Sequence, residues 1–173
     1  MTPVTTTRTA AGAEAPAPAG YRLCVGIVLL DAQGRVFAGR RSDLSPDDPA
    51  AWQLPQGGVD EAEDLVTAAL RELEEETGIP SSLVRVEAVA PDPVPYDLPP
   101  PMRPPHWGGR WKGQAITWVR MRYLGTDAQV GVATEHPEFS AWRWADLRDL
   151  ARTVVAPKRE AYRAALSLLG AAP

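Results

Sequence analysis

The sequence predicts an α/β domain, and three stretches of the chain support this prediction. Residues 21–30 are mostly apolar and rich in β-formers, which is typical of a buried strand. Residues 61–77 are dominated by alanine, leucine and glutamate, which favour a helix. Residues 157–169 repeat apolar side chains at helical spacing. The chain therefore combines strands with helices, and its 173 residues fit one domain with a sizeable core.

The other elements follow from local patterns of apolar and turn residues. A turn at residues 31–34 joins the first strand to a second one, which makes a hairpin. In the helix at 61–77, acids occupy the first turn, and Gly78 stands where a left-handed residue commonly ends a helix. Further strands are predicted at 35–39, 82–90, 114–124 and 140–144. Residues 127–132 are a possible short strand, and residues 147–150 are predicted to form a short helical turn.

Two segments lack a regular pattern. Residues 91–113 contain eight prolines, and such a long loop inside a compact domain is usually functional or disordered. Residues 1–20 hold almost no large apolar side chain and cannot bury much surface. The sequence therefore predicts a disordered tail at 1–20 ahead of a domain at 21–173.

Composition excludes several classes of protein. The net charge of −4 argues against non-specific coating of nucleic acid, although a local basic groove remains compatible with it. A single cysteine, Cys24, excludes an internal disulfide and a cysteine-based zinc site. The chain has no apolar run of membrane-spanning length and no secretory signal pattern, so we expect a cytoplasmic protein without a membrane span. Nothing in the sequence indicates a protein partner.

Glutamates cluster on one face of the predicted helix at 61–77. Glu72, Glu75 and Glu76 are three and four residues apart, so their side chains share a face. Such close carboxylates repel one another unless a cation lies among them, and Mg²⁺ binds through a few carboxylates while leaving positions for substrate phosphates. A solvated acidic face is the ordinary alternative. The cluster alone does not decide between the two.

The residues around the cluster fit one spaced pattern. A glycine and an acid precede an Arg-Glu pair, and two further glutamates precede a glycine and an aliphatic residue. This complete pattern resembles the signature of the Nudix hydrolases, and a chance match is on the order of 1 in 10⁸ per start site. The matching residues are Gly57, Glu63, Arg71, Glu72, Leu73, Glu75, Glu76, Gly78 and Ile79.

The resemblance implies a fold and a reaction. The fold is an α/β/α sandwich in which a mixed sheet lies between the motif helix and the C-terminal helix. The reaction is hydrolysis of a phosphoanhydride in a nucleoside diphosphate linked to another group, with Mg²⁺ or Mn²⁺ held by Glu72, Glu75 and Glu76. The metal would lower the pKa of a bound water to make the nucleophile.

The resemblance also implies roles for the neighbouring residues. Glu138, in a Pro-Glu-Phe step, resembles a family acid that acts as a metal ligand or general base. Either Glu75 or Glu138 would take the proton of the water, and the sequence leaves both open. Arg71 lies four residues before Glu75 and is expected to orient it by ion pairing. The residues with supporting roles in the motif are Gly57, Glu63 and Gly78.

A narrower resemblance comes from the segments before the motif. The run from Trp52 to Gly58 (Trp-Gln-Leu-Pro-Gln-Gly-Gly) and the opening Tyr21-Arg22 look like one subgroup. That subgroup contains bacterial RNA 5′-pyrophosphohydrolases and plant-type asymmetric diadenosine tetraphosphate hydrolases. The diglycine is expected to permit backbone conformations that bring amides close to a phosphate chain.

The subgroup resemblance suggests the residues that hold substrate. Arg22, Arg40 and Lys112 are predicted to steady the polyphosphate, and Tyr96 in the proline-rich loop is predicted to contact a base. Lys158 matches a segment that holds the 5′-terminal base in the RNA pyrophosphohydrolases. The phenylalanine of that segment is replaced here by proline at position 157, and proline cannot stack as an aromatic ring does.

Three functions compete on these grounds. Hydrolysis of an RNA 5′-triphosphate to a 5′-monophosphate is favoured, and asymmetric hydrolysis of diadenosine tetraphosphate to ATP and AMP is the alternative. Both substrates place a base and several phosphates in the same groove. A non-catalytic nucleotide-binding regulator would be expected to lack a motif carboxylate, and every motif carboxylate is present. The sequence therefore predicts an enzyme whose substrate is a nucleotide or an RNA 5′-end.

Overall fold

The structure is a computed structural model that describes residues 17–170. Residues 1–16 of the predicted tail lie outside the described residues, so the division into a tail and a domain stays a prediction. Gly20 belongs to the folded part, because its carbonyl accepts a hydrogen bond from the backbone N–H of Lys112 at 2.9 Å. No helix within residues 17–170 is both long and apolar enough to cross a bilayer.

One mixed sheet of eight strands forms the centre of the described chain. The first and seventh strands pair in parallel along most of their length in the middle of the sheet, and the other pairings are antiparallel. The strands are β1 (Tyr21–Leu30), β2 (Val36–Arg41), β3 (Trp52–Gln53), β4 (Gln56–Gly58), β5 (Val84–Val89), β6 (Val94–Asp97), β7 (Gly113–Tyr123) and β8 (Phe139–Ala145). The helices are α1 (Leu65–Thr77), α2 (Leu147–Thr153) and α3 (Arg159–Leu166).

Each face of the sheet is covered by helices. On one face, side chains of β1 such as Ile27 belong to one buried cluster with Ala69 and Leu73 of α1. On the opposite face, Val28 of β1 belongs to a second cluster with Tyr162 of α3. Because successive side chains of a strand point to opposite faces, the apolar run of β1 supplies both clusters. The predicted α/β/α sandwich is confirmed.

The motif helix is shorter than the sequence predicts. Asp64 caps its first turn by accepting the N–H of Thr67 at 3.0 Å, and Ala62 has a φ of 61°, so the chain before Asp64 is a loop. The predicted start at residue 61 is wrong, because a capping side chain sets the boundary and acids in a loop resemble acids in a first turn. The predicted end is correct, since Gly78 adopts a left-handed φ of 69°.

Three other sequence predictions need correction. Residues 91–113 are not a plain loop, because β6 forms within them and pairs with β7 despite Pro95. Residues 127–132 contain a 3₁₀ turn at Asp127–Gln129 and no strand. The second strand continues to Arg41, two residues beyond its predicted end, so it includes both members of the arginine pair.

Candidate active site

An open cleft of about 710 Å³ lies where α1, β4 and the beginning of β1 meet. The antiparallel pairing of β4 with β1 places Gly58 opposite Cys24, and α1 packs beside β4. Carboxylates, cations and an apolar edge line different parts of this cleft. The carboxylates are Glu72, Glu74, Glu75, Glu76, Glu135 and Glu138, and the cations are Arg22, Arg41 and Lys158.

Arg71 ties the motif helix to the loop before it. Its Nε and one terminal nitrogen donate to the two oxygens of Glu63 at 2.9 and 2.8 Å, which is a bidentate pair. The same terminal nitrogen donates to the carbonyl of Gly58 at 2.9 Å. The hydrogen bond from Arg71 holds the pKa of the Glu63 carboxyl below its ordinary value. Glu63 therefore fixes Arg71, in keeping with the supporting role predicted for it.

Arg71 contacts Glu72 more closely than Glu75. Its other terminal nitrogen lies 2.9 Å from Glu72 and 3.5 Å from Glu75, whose side chain is 59% exposed. The expected ion pair with Glu75 is present, but it is the looser of the two contacts. Arg71 is not part of the cleft lining, and its role in orienting the carboxylates of α1 stays a prediction.

Glu76 is the most buried carboxylate of the cleft. Only 6% of the residue is exposed, and one oxygen accepts the backbone N–H of Gln56 at 3.2 Å. Burial raises the pKa of its carboxyl well above the ordinary value, and the negative charges of Glu72 and Glu138 add to that effect. Burial also raises the pKa of Glu72, although its hydrogen bond to Arg71 opposes the shift. Negative charge is therefore in excess at this end of the cleft.

The two glycines of β4 have charged side chains packed so closely against them that a Cβ at either position would clash. A Cβ on Gly57 would lie 1.9 Å from the carboxyl carbon of Glu72, and a Cβ on Gly58 would lie 2.1 Å from a terminal nitrogen of Arg22. Neither glycine has a positive φ. The structure gives a steric reason for these glycines, which is the close approach of two charged side chains, and the expected approach of their amides to a phosphate chain stays a prediction.

The carboxylates of α1 in the cleft are chemically suited to bind a hard divalent cation. Glu72, Glu75 and Glu76 are oxygen donors on one helix face, and their surplus negative charge would be relieved by a cation. Within residues 17–170, no three His, Cys, Asp or Glu side chains are already arranged as a complete metal site. The assignment of these three residues as ligands therefore stays a prediction.

Two of the predicted substrate contacts line the cleft. Arg22 lies at its edge beside Gly58. Lys158 is 8% exposed, and its Nζ donates to the side-chain oxygen of Gln53 at 3.0 Å. Burial lowers the pKa of Lys158 to about 8, with a smaller contribution from the positive charge of Arg41. Both cations are therefore placed where a polyphosphate in the cleft could reach them.

Three other predicted contacts lie outside the cleft lining. Arg40 packs on Ser140 and over the ring of Trp52, because successive residues of β2 point to opposite faces. Lys112 lies over the ring of Tyr21, with 4.8 Å between its Nζ and the ring centroid. Tyr96 is 5% exposed and hydrogen-bonds to Gln114, so its ring is not presented for stacking on a base.

Sequence reasoning missed several residues that line the cleft. The sequence makes a phosphate or base contact plausible for both Arg40 and Arg41 and favours Arg40, but it is Arg41 that lines the cleft, where its guanidinium pairs with Asp43. The alternation of β2 could have identified it if the end of the strand had been placed correctly. Gln56 and Gln114 also line the cleft, and their only signal was the subgroup pattern around them.

A family profile described as the NUDIX domain matches residues 20–165. The chain belongs to the Nudix family. The predicted resemblance and the predicted class, a hydrolase of phosphoanhydride bonds, are therefore confirmed. Nudix hydrolases generally require divalent metal ions, which agrees with the donor chemistry of the cleft.

Curated relatives resemble this Nudix chain along most of its length. A protein from Dinoroseobacter shibae named RNA pyrophosphohydrolase is 51% identical over 142 residues, which cover 82% of this chain and 87% of the relative. A protein of the same name from Cereibacter sphaeroides is 52% identical over 147 residues, which cover 85% and 89%.

Solved structures share the Nudix fold with the chain at lower sequence identity. The crystal structure of a C. elegans Ap4A hydrolase binary complex matches with a TM-score of 0.57 and 20% identity over 84% of this chain and 97% of that one. A MutT protein from Methanosarcina mazei matches with a TM-score of 0.58 and 21% identity over 88% and 98%. At these identities the likeness concerns the fold alone.

Replacing Arg71 by lysine is expected to lower kcat by about tenfold or more, as is usual for residues that orient metal ligands. Lysine keeps the charge but cannot hold Glu63 with a bidentate fork while also reaching Glu72. The measurement is steady-state hydrolysis of a nucleoside polyphosphate. Arg148→Lys, at an exposed pair with Asp146 outside the cleft lining, is the control. Equal activities of the two variants would contradict a positioning role for Arg71.

Proposed function

We propose that this Nudix hydrolase converts the 5′-triphosphate end of RNA to a 5′-monophosphate. The observation that carries the proposal is the combination of about half-identical relatives named RNA pyrophosphohydrolase with a cleft that joins carboxylates and cations. The proposal includes a cytoplasmic location, where RNA 5′-ends are made. Mg²⁺ or Mn²⁺ is the proposed cofactor.

The reaction breaks one P–O bond of a phosphoanhydride and forms another to the oxygen of water, so that RNA with a 5′-monophosphate and the released phosphates are the products. Arg22, Arg41 and Lys158 bind the phosphate chain. Glu72, Glu75 and Glu76 would hold the metal, which when bound neutralises phosphate charge and acidifies water.

A carboxylate of the chain takes the proton of the attacking water. Glu75 and Glu138 are the candidates, since both line the cleft and both are exposed to it. Arg71 holds α1 and its carboxylates against the end of β4 through the carbonyl of Gly58. The division of roles between Glu75 and Glu138 is open to kinetic analysis of the two glutamine variants.

Diadenosine tetraphosphate is the second candidate substrate. The cleft is open, and Pro157 does not line it, so the aromatic contact that the resemblance places at this position for an RNA base is missing. A dinucleotide would use the same cations for its phosphates. The open cleft without an aromatic side chain from position 157 is compatible with either substrate, so the dinucleotide stays the alternative.

The test compares turnover of 5′-triphosphorylated RNA with turnover of diadenosine tetraphosphate, in Mg²⁺ and in Mn²⁺. The proposal predicts a higher kcat/KM on RNA, with 5′-monophosphorylated RNA as the product. Glu75→Gln provides the blank for contaminating activity. Faster release of ATP and AMP from the dinucleotide would overturn the proposed substrate, and turnover of neither above the blank would overturn both candidates.

A further inference from the structure

An apolar edge lines one side of the catalytic cleft. Leu98, Met102 and Pro104 contribute to the lining, and all three come from the proline-rich segment between β6 and β7. They lie in the same cleft as the phosphate-binding cations and the carboxylates of α1. We call these three residues the apolar rim.

The rim is held by short-range hydrogen bonds to backbone carbonyls. The N–H of Met102 donates to the carbonyl of Pro99 at 2.8 Å, which closes a 3₁₀ turn, and Nε of Arg103 donates to the carbonyl of Leu98 at 2.8 Å. The prolines of this segment fix φ and reduce the freedom of the chain. The rim is therefore a preformed surface, which lowers the entropic cost of binding a ligand on it.

Met102 is exposed where it can contact a ligand. It is 39% exposed, and within residues 17–170 only Val89 and Leu124 are other large hydrophobic residues exposed to a similar extent. Neither of those two lines the cleft. A single exposed apolar side chain needs no explanation. At a charged cleft, Met102 and the partly exposed Pro104 form an apolar contact surface next to a phosphate site, and Leu98, which is only 6% exposed, contributes a small part of it.

The division of the cleft into charged and apolar parts matches the two parts of a nucleotide. Phosphates are held by cations, and the side chains of the rim offer no charge and no hydrogen-bond donor. The flat face of an unpaired base can bury apolar area on such a surface, and methionine adapts its shape to aromatic rings. The predicted base contact Tyr96 is buried, and Pro157, which stands where the resemblance places an aromatic ring, does not line the cleft, so the rim is the apolar surface of the cleft lining.

We propose that Leu98, Met102 and Pro104 form the subsite for the nucleobase nearest the reacting phosphates, with Met102 as its main contact. The inference rests on the proposed function, because it assumes a substrate with a base attached to a phosphate chain. The rim has no side-chain group that hydrogen-bonds to a base edge. The subsite therefore accepts all four bases with similar affinity.

The test measures binding of two probes to the full chain in the presence of Mg²⁺. One probe is a short RNA whose 5′-triphosphate carries non-hydrolysable imido links, and the other is inorganic tripolyphosphate, which has no base. Met102→Ala is expected to weaken binding of the RNA probe by about tenfold, because the methionine side chain would otherwise become buried against the base. Binding of tripolyphosphate is expected to stay within about twofold of wild type by the same reasoning.

Two further variants make the result specific. Leu124→Ala removes an exposed apolar side chain outside the cleft and is expected to change neither affinity. Met102→Phe keeps an apolar surface and is expected to bind the RNA probe at least as tightly as Met102→Ala does, and more tightly if the ring stacks. Equal weakening of both probes by Met102→Ala, or no weakening of either, overturns the subsite.

The same experiment separates this subsite from the proposed substrate. If wild type fails to hydrolyse triphosphorylated RNA, the proposed function fails. The subsite is then tested by measuring binding of ATP in place of the RNA probe, because ATP also joins a base to a phosphate chain. A Met102-dependent preference for ATP over tripolyphosphate supports the rim as a base subsite, and its absence contradicts it.

Discussion

Replacing Glu76 by glutamine is expected to lower kcat by at least about a thousandfold while leaving the protein folded. Metal-assisted charge stabilisation contributes several kcal/mol, and each 1.36 kcal/mol is a factor of about ten in rate. Glu76 is the most buried carboxylate of the cleft, so no neighbouring water can easily replace its oxygens. The measurement is steady-state turnover of triphosphorylated RNA in Mg²⁺.

The stability of the same variant provides an independent check. A carboxyl whose pKa is raised in the folded state stabilises the fold below its unfolded pKa and loses that contribution as the pH rises through its folded pKa. Glutamine resembles the protonated form and does not lose a proton. Near neutral pH and without metal, the Tm of Glu76→Gln should therefore equal or exceed that of wild type. A lower Tm together with lost activity would mean that Glu76 acts mainly through the fold.

Replacing Gly57 by alanine is expected to lower kcat by about a hundredfold, which is the scale of a displacement of about 1 Å at a catalytic group. The new Cβ would lie 1.9 Å from the carboxyl carbon of Glu72, so this carboxylate must move away. Because the obstacle is the end of a flexible side chain, the fold is expected to survive. Turnover and thermal unfolding are measured side by side.

Gly131→Ala is the matched control for this substitution. A Cβ at Gly131 would meet no atom within 4 Å, and no positive φ is required there. We expect near wild-type turnover from it. Full activity in Gly57→Ala would show that the position of Glu72 does not matter for catalysis.

The layered fold and the acidic face of the cleft could be predicted because they depend on local spacing. Glu72, Glu75 and Glu76 share a face of α1 by helical geometry alone. Gly78 ends this helix in the left-handed conformation that its position in the pattern indicated. The apolar run of β1 predicted a buried strand, and the structure places β1 in the middle of the sheet, with side chains in both buried clusters.

The substrate-binding residues were harder to predict because they depend on long-range pairing. Whether Arg40 or Arg41 enters the cleft depends on the exact end of β2, and the pairing with β8 shifts register between these two residues. Tyr96 belongs to β6, a strand hidden in a proline-rich segment, and its pairing with β7 buries the ring. Local propensity does not identify β6, since prolines argue against a strand. It also does not distinguish Arg40 from Arg41, because the two adjacent residues are chemically identical.

We propose that the carboxylates of α1 form the metal site of this Nudix hydrolase. The most direct measurement is titration of metal-free protein with Mn²⁺, with free Mn²⁺ followed by electron paramagnetic resonance. We expect saturable binding of Mn²⁺ by wild type and loss of that binding when Glu72, Glu75 and Glu76 are all replaced by glutamine. Unchanged Mn²⁺ affinity in the triple variant would contradict it, because the metal would then be held elsewhere.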